Sequence, residues 1–340
     1  MREQQREKPL ALTLGDPGGI GPDITIQAWL SRKRGVPPFI FAGDADLLMR
    51  RARLLGRDIR VMRTNPMDAL EVFPQAIPCV ETAIEVEGEP GKLRTTHAAA
   101  VINSIRTAVE LVRDGAASAV VTNPIHKKSL NESGFPFPGH TEFLGSLSHE
   151  LYGITSKPVM MLAGADLRVV PVTIHISLAE VPGVLTTELI VSTGKIVANE
   201  LTLRFAIEAP RLAVAGLNPH AGEDGMMGDE DAAVVHPAIQ ELRDAGIDAC
   251  GPLPADTMFH GAARKNYDVA LCMYHDQALI PIKTLAFDEG VNVTLGLPFI
   301  RTSPDHGTAL SLAGSGAAKP TSLIAALRLA DELARRERPV

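Results

Sequence analysis

The chain has 340 residues, of which 45% are hydrophobic and 21% charged, a composition typical of a folded globular protein. Its net charge of −7 and the lack of a long lysine and arginine cluster argue against nucleic-acid binding. Three widely spaced cysteines form neither a disulfide framework nor a CxxC metal site, so a reducing, cytoplasmic setting is expected. The charged N-terminus does not resemble a secretion signal, and no 18-residue apolar run predicts a membrane span.

Short apolar runs typical of strands alternate with helical stretches along the whole chain. Strands are predicted at 9–14, 38–42 and 118–122. Helices are predicted at 22–31, 45–55, 96–114, 141–151, 185–204, 229–245 and 321–336. This alternation predicts an α/β fold with a largely parallel sheet covered by helices.

The stretch 134–139, rich in Gly, Pro and Phe, is the best candidate for a boundary between two lobes. The last helix is expected to return to the first lobe and make it discontinuous. The predicted first α/β lobe therefore comprises residues 1–138 plus about 312–340, and the second comprises 139–311.

Three histidines each follow an apolar, strand-like run: His175 after 167–174, His220 after 211–219 and His275 after 268–274. A single histidine in such a place is usually packed or hydrogen-bonded. In an open α/β sheet, however, ligands bind beyond the carboxyl ends of the parallel strands. Three imidazoles at that edge could share one metal ion and leave a coordination position open, which is a catalytic pattern.

Two segments have the sequence of an anion site at the start of a helix. The glycine-rich turn 15–22 follows a strand and opens a helix, although it matches neither G-x-G-x-x-G nor a P-loop. A tight turn that needs glycine is the alternative interpretation, and by itself the stronger one. His140 and Thr141 lie at another predicted helix start, where Thr141 could equally be an N-cap.

Lys283, Asn292 and Arg301 are spaced nine residues apart in a stretch with few other charges. A lysine, an amide and an arginine could together bind an anionic group, although scattered cations are usually solvated. Asp256 lies between turn residues and is expected to be a buried carboxylate. It could orient a substrate amine or hydroxyl, or cap the next helix.

Together these segments resemble the 4-hydroxythreonine-4-phosphate dehydrogenase family over nearly the whole chain, from Pro9 to about Ala330. The matching blocks are GDPGGIGPD (15–23), TNPIHK (122–127), FPGHTEFL (137–144), VTIH (172–175), LNPHAGEDG (217–225), GPLPADTMF (251–259), YHDQALIPIK (274–283) and GVNVTLGLPFIRTSPDHGTA (290–309). The combination is specific, although no single block would suffice.

The resemblance implies a two-lobed α/β/α fold with a parallel or mixed sheet, like that of isocitrate and isopropylmalate dehydrogenases, with the metal and substrate site in the cleft. It also implies a homodimer with a shared active site, in which the partner supplies the third histidine, here His275. Residue by residue, it implies metal ligands at His175, His220 and His275; substrate contacts at His140, Thr141, Lys283, Asn292 and Arg301; a carboxylate near the substrate at Asp256; and a nicotinamide-cofactor loop with Ser303, Asp305, His306, Gly307 and Thr308.

The activity that the resemblance implies is NAD- or NADP-dependent oxidation of 4-(phosphooxy)-L-threonine at its secondary alcohol. The product would then lose carbon dioxide to give 3-amino-2-oxopropyl phosphate, in pyridoxal 5'-phosphate (vitamin B6) biosynthesis. One divalent cation per subunit (Zn, Mg, Mn or Co) would act as a Lewis acid. Lys283 is expected to carry a proton or, equally, to bind phosphate or carboxylate.

Three other interpretations stay open on the sequence. A paralogue would oxidise D-threonate or D-erythronate 4-phosphate, or a dihydrodiol acid without phosphate. A metal-dependent hydrolase would use three histidines and an open position to activate water. A non-catalytic metabolite-binding protein is the third, and the intact metal and anion positions argue against it. No nucleic-acid or membrane partner is expected.

Overall fold

The computed structural model divides the chain into two compact units. The first is discontinuous, since it contains the chain up to Pro158 and then Leu297–Arg335; the second is formed mainly by Val159–Gly296. The division drawn from the sequence differs, because it assigns 139–158 and 297–311 to the second lobe. The described residues are 8–82, 84–126, 130, 132–135, 137 and 139–337, so Pro136 and Pro138 of the predicted boundary and Lys127 of the TNPIHK block lie outside them.

The strands of the described residues are short and spread over both units. They are β1 (Leu10–Thr13), β2 (Phe39–Gly43), β3 (Val61–Arg63), β4 (Ile77–Glu81), β5 (Val120–Val121), β6 (Val159–Gly164), β7 (Leu167–Pro171), β8 (Arg211–Ala215), β9 (Asp248–Leu253), β10 (Val269–Cys272), β11 (Val291–Leu295) and β12 (Arg301–Pro304).

The helices lie between these strands, as the alternating pattern predicts. They are α1 (Gly21–Leu30), α2 (Ala45–Leu54), α3 (Ala69–Val72), α4 (Ala98–Arg113), α5 (His140–Tyr152), α6 (Val181–Val184), α7 (Thr187–Leu203), α8 (His236–Asp244), α9 (His275–Ala286) and α10 (Thr321–Arg336). The predicted helices correspond to α1, α2, α4, α5, α7, α8 and α10, so all seven are confirmed. The predicted α8 includes a π-helical turn, Asp231–Val235, at its start.

The sheet of the first unit has the strand order β3-β4-β2-β1-β5-β12, and all its pairs are parallel. Its central strands β1 and β2 are buried at every residue, which explains their uninterrupted apolar sequence. Helix α4 covers this sheet with Val101, Ile105 and Ala108, spaced to form one apolar stripe. Helix α5 packs into the same core through Phe143, which explains why residues 139–158 belong to the first unit.

The sheet of the second unit is mixed and has the order β11-β6-β7-β10-β8-β9. Strands β6 and β7 form an antiparallel hairpin, and β11 is antiparallel to β6. The remaining neighbours, β7, β10, β8 and β9, are parallel. Their buried side chains, including Val169, Ala213 and Ala270, form the core of this unit. The expected parallel or mixed α/β architecture is therefore confirmed.

Candidate active site

The three strands that precede the predicted metal ligands are neighbours in the second unit. Strands β7, β10 and β8 lie side by side and parallel, so their carboxyl ends meet at one edge of the sheet. The strands end three to five residues before His175, His220 and His275, earlier than the apolar runs predict. The histidines therefore lie on the loops beyond this edge, and His275 is the first residue of α9.

His175 and His275 lie next to each other, with ring centroids 5.7 Å apart. Both line a pocket of about 310 Å³ together with Thr173, Val181 and Tyr274. The Nδ1 atom of His275 lies 2.7 Å from a carboxylate oxygen of Asp276. A carboxylate in that position orients the ring and leaves Nε2 as the metal-binding nitrogen. The sequence alone assigns no role to Asp276.

His220 occupies a strained loop. It has a positive φ of 52°, and so do the next four residues, of which only Gly222 is a glycine. Such backbone costs about 1–3 kcal/mol per non-glycine residue and tends to occur at functional sites. Asp231 supports the loop, because its carboxylate accepts hydrogen bonds from the backbone N–H groups of Leu217 and Asn218.

The chemistry of these three side chains fits a divalent metal, since imidazole nitrogen is a common ligand of transition metals. Within one chain, however, the described residues contain no group of three His, Cys, Asp or Glu side chains close enough to bind one ion. His175 and His275 of one chain are neighbours, but a complete three-histidine site would require a rearranged loop or a ligand from another chain.

Arg301 is the centre of a buried polar cluster in the first unit. It lies on β12, is 6% exposed, and donates from Nε and Nη2 to the hydroxyl of Thr122, at 3.1 and 2.6 Å. Its Nη2 also lies 3.3 Å from Nδ1 of His140. Burial lowers the pKa of Arg301 to about 10, so it is a cation at neutral pH. A guanidinium group beside the first turn of a helix is a suitable partner for an anion.

The helix that begins beside this cluster contradicts one of the two interpretations of its sequence, the one in which Thr141 is the N-cap. Helix α5 begins at His140, and Gly139 is its N-cap without a side-chain hydrogen bond. Thr141 is therefore the second helical residue, and the N-cap interpretation is wrong. His140 and Thr141 are both half-buried in the first turn of the helix, where backbone N–H groups favour anions.

The glycine-rich turn 15–22 is a structural turn. The N–H groups of Gly18 and Gly19 donate to Asp16, and that of Ile20 donates to the carbonyl of Thr308. These three donors are already used, which argues against the turn as an anion cradle. A Cβ at Gly18 would lie 2.0 Å from the carbonyl oxygen of Lys92, so this position requires glycine.

A buried ion pair holds the same turn in place. The guanidinium of Arg51 contacts the carboxylate of Asp23 and donates to the carbonyls of Pro17 and Gly19. Burial raises the pKa of Asp23, and the charge of Arg51 partly offsets this. This pair is not evident from the sequence, because its partners are separated by 28 residues.

The predicted cofactor loop follows β12 directly. Ser303 and Thr308 are buried, and the carbonyl of Thr308 anchors the loop to the glycine-rich turn. His306 and Gly307 are exposed at its tip, and a Cβ at Gly307 would meet no atom within 4 Å. A loop with fixed ends and an open tip leaves room for a nucleotide cofactor. The N–H of Asp305 donates to the hydroxyl of Ser322.

The other predicted residues lie in the second unit. Lys283 is half-buried in the last turn of α9. Asn292 lies on β11, and its buried side-chain oxygen makes no hydrogen bond to any residue that the structure describes. Asp256 is exposed in a turn, so the expectation of a buried carboxylate is wrong. It does not cap a helix either, since the next helical element begins at Ala263.

Among the described residues, no single helix is long and apolar enough to cross a membrane. The pair Leu178–Val184 and Thr187–Leu203 meets the length and composition criteria together, but it is bent by 91°.

The two α/β units, the parallel strands that carry histidines and the buried arginine cluster together define an α/β enzyme. The family model of the pyridoxal phosphate biosynthetic protein PdxA matches residues 35–330. The chain belongs to this family and is an oxidoreductase like its relatives.

Three relatives show the extent of the similarity. A protein of Methylorubrum populi named 4-hydroxythreonine-4-phosphate dehydrogenase is 58% identical over 97% of this chain and 95% of its own length. The crystal structure of a Klebsiella pneumoniae enzyme of the same name is 35% identical, with a TM-score of 0.85, over 96% of this chain and all of the other. A terephthalate 1,2-cis-dihydrodiol dehydrogenase from Burkholderia xenovorans is 28% identical, with a TM-score of 0.64, over 96% of this chain and 98% of that one.

Proposed function

We propose that the chain oxidises 4-(phosphooxy)-L-threonine at its secondary alcohol, with NAD or NADP as acceptor, in vitamin B6 biosynthesis. The observation that carries the proposal is 58% identity, over nearly the full length of both chains, to a relative named for this reaction. The alcohol carbon loses hydrogen with its electron pair to the nicotinamide ring, and the hydroxyl proton is released. The bond between the carboxylate carbon and its neighbour then breaks, carbon dioxide leaves, and a proton replaces it to give 3-amino-2-oxopropyl phosphate.

The substrate needs local cations, because the net charge of −7 repels an anion at long range. We assign substrate binding to His140, Thr141 and Arg301 of the first unit and to Lys283 and Asn292 of the second. The buried charge of Arg301 and the buried side-chain oxygen of Asn292 support the assignment. Lys283 either exchanges a proton with the substrate or binds its phosphate or carboxylate group. Asp256, being exposed, has a role only if substrate or partner covers it.

We assign the metal site to His175, His220 and His275, with Asp276 orienting the last of them. When bound, a divalent cation supplies Lewis-acid polarisation of the substrate oxygens. An all-imidazole ligand set favours zinc or a similar transition metal over magnesium and manganese, which prefer oxygen ligands. The nicotinamide cofactor is assigned to Ser303, Asp305, His306, Gly307 and Thr308.

We also propose a homodimer in which His275 completes the metal site of the partner. Exposed apolar side chains on the segments that follow His175 and His275 support this: Ile280 is 63% exposed, Phe287 78% and Leu178 68%. Ile280 and Phe287 are seven residues apart and so project from the same side of α9 and its end. Exposed apolar side chains clustered in this way mark an interface. Phe287→Asp should give monomers by light scattering, whereas Leu54→Asp, an exposed leucine of the first unit, should not.

The decisive experiment measures NADH or NADPH formation from 4-(phosphooxy)-L-threonine, with and without a chelator. We expect product only with metal present, and carbon dioxide in equal amount. Turnover of D-erythronate 4-phosphate or D-threonate 4-phosphate, but not of the threonine compound, would show a paralogue. Activity on a dihydrodiol acid would correspond to the relative that is 28% identical. Phosphate release without reduction of the cofactor would indicate a hydrolase. Fractionation of cells that produce the protein tests the cytoplasmic location.

A further inference from the structure

The TNPIHK block has no role in the assignments above, yet its first residue lies in the Arg301 cluster. Thr122 follows β5 directly and is fully buried. Strand β5 pairs in parallel with β12, with Val120 opposite Arg301, and the N–H of Thr122 donates to the carbonyl of Thr302. This register places the Thr122 hydroxyl just beyond Arg301 along the sheet, within reach of its guanidinium.

The contact between the two side chains fixes the plane of the guanidinium. Nε and Nη2 of Arg301 both donate to the single hydroxyl oxygen of Thr122. Because these donors lie on one edge of a planar group, the two bonds together set its orientation. The same orientation brings Nη2 to Nδ1 of His140, at the first residue of α5.

The support under Thr122 is rigid. The backbone N–H of the next residue, Asn123, donates to the hydroxyl of Thr13. The Asn123 side-chain amide donates to the carbonyl of Thr13 and to the hydroxyl of Thr25. All these groups are buried. A binding side chain is most effective when fixed neighbours hold its conformation before the ligand arrives.

From this geometry we infer that Thr122 is a positioning residue for recognition of the anionic substrate. It holds Arg301 in the orientation that meets the substrate anion beside His140 and the first turn of α5. The inference depends on one part of the proposed function, namely that Arg301 binds the phosphorylated substrate.

The test compares Thr122→Val with Thr122→Ser in the full-length protein. Valine keeps the shape but removes the hydroxyl acceptor, whereas serine keeps the acceptor. Isothermal titration measures the Kd of 4-(phosphooxy)-L-threonine and of inorganic phosphate, so no turnover is required. We expect valine to raise both Kd values about tenfold and serine to retain most of the affinity. The Kd of NAD should change less than about twofold in both variants.

Two further variants separate positioning from general stability. Thr302→Val is the matched control, because Thr302 is equally buried but its hydroxyl donates to the carbonyl of Ala326. It should lower the unfolding temperature without changing the phosphate Kd. In an Arg301→Ala background, Thr122→Val should cause no further loss of phosphate affinity, since Thr122 acts through Arg301.

The outcomes distinguish a failure of the proposed function from a failure of the positioning role of Thr122. If Arg301→Ala leaves substrate affinity intact, the assignment of Arg301 in the proposed function is wrong. If Arg301→Ala weakens binding but Thr122→Val does not, only the positioning role fails. The positioning role also fails if serine loses as much affinity as valine at an unchanged unfolding temperature, or if the losses from Thr122→Val and Arg301→Ala are additive.

Discussion

The arginine cluster of the first unit is complete within a single chain, whereas the histidine group of the second unit is not. Arg301 is buried, and its hydrogen bonds to Thr122 and His140 fix it within one unit. His175 and His220, by contrast, are exposed on loops with positive φ. A buried cluster of this kind is preorganised for its ligand. An exposed group of histidines on strained loops needs an additional component to become rigid.

The surroundings of the two groups indicate what that component is. Arg301 and Thr122 are buried, and His140 is half-buried. The histidine pair is accompanied by exposed apolar side chains, among them Ile176 and Leu178 in the lining of its pocket. Apolar surface beside an incomplete ligand set favours a second protein chain over solvent. The comparison therefore predicts that metal binding depends on assembly and that anion binding does not.

The largest effect is expected from loss of a histidine ligand. His220→Ala should reduce activity at least about a hundredfold, because a missing ligand costs more than a missing neighbour of a ligand. Bound zinc, measured by mass spectrometry after dialysis, should fall in parallel. His236→Ala is the control, an exposed histidine of the same unit at the start of α8. Full activity of metal-free His220→Ala protein would show that these histidines do not hold the metal.

Mixed dimers test the dependence on assembly directly. His175→Ala and His275→Ala should each be inactive as homodimers. If His275 serves the partner, a mixed dimer has one site without either histidine and one site with all three. With complete exchange of equal amounts, half of the dimers are mixed and half of their sites are intact, so about a quarter of the wild-type activity should return. Exchange is followed by native mass spectrometry, and exchange without recovered activity would contradict the shared site.

The arginine cluster should give a smaller and more selective effect. A hydrogen bond to a charged group is worth about 1.5–3 kcal/mol, which corresponds to one to two decades in affinity. Arg301→Ala should weaken substrate binding by that amount and leave NAD binding nearly unchanged. Arg106→Ala, which removes a half-buried arginine paired with Glu150, should change neither Kd. A loss of NAD affinity alone would place Arg301 in the cofactor site instead.

The sequence predicted those helices and strands that a local pattern of apolar residues identifies. Helices α4 and α10 have a regular apolar stripe, and their observed bounds lie within two residues of the predicted ones. Helix α9 was not predicted, and Pro281 interrupts its interior. Strand β3 is three residues long and mostly exposed, so it lacks the apolar run that identifies a buried strand. Local periodicity thus predicts long elements well and short or interrupted ones poorly.

The position of a candidate site residue was predictable only where a single feature of the sequence, such as a preceding strand, determines it. Because parallel strands share an edge, the order of the apolar runs was enough to bring His175, His220 and His275 to one side of the sheet. The partner of Thr122 was not predictable, since Arg301 lies 179 residues away along the chain. Asp256 was misplaced for a related reason: turn residues around a carboxylate do not determine whether other segments cover it.

The smallest predicted effect concerns pH and a buried histidine of the first unit. His97 is 4% exposed, and burial lowers its pKa below the usual value; nearby Asp16 and Glu87 raise it, and Arg94 lowers it further. As the pH falls through about 6.5, the unfolded chain therefore gains a proton that the folded chain resists. Folding stability should decrease between about pH 7 and pH 5.

His97→Gln replaces the imidazole with a neutral amide and should make stability less dependent on pH in this range. The measurement is the urea midpoint of unfolding at several pH values, in parent and variant. The slope can change by at most about 1.4 kcal/mol per pH unit, the contribution of one proton. Equal slopes in the parent and in His97→Gln would mean that His97 is protonated as easily in the folded unit as in the unfolded chain.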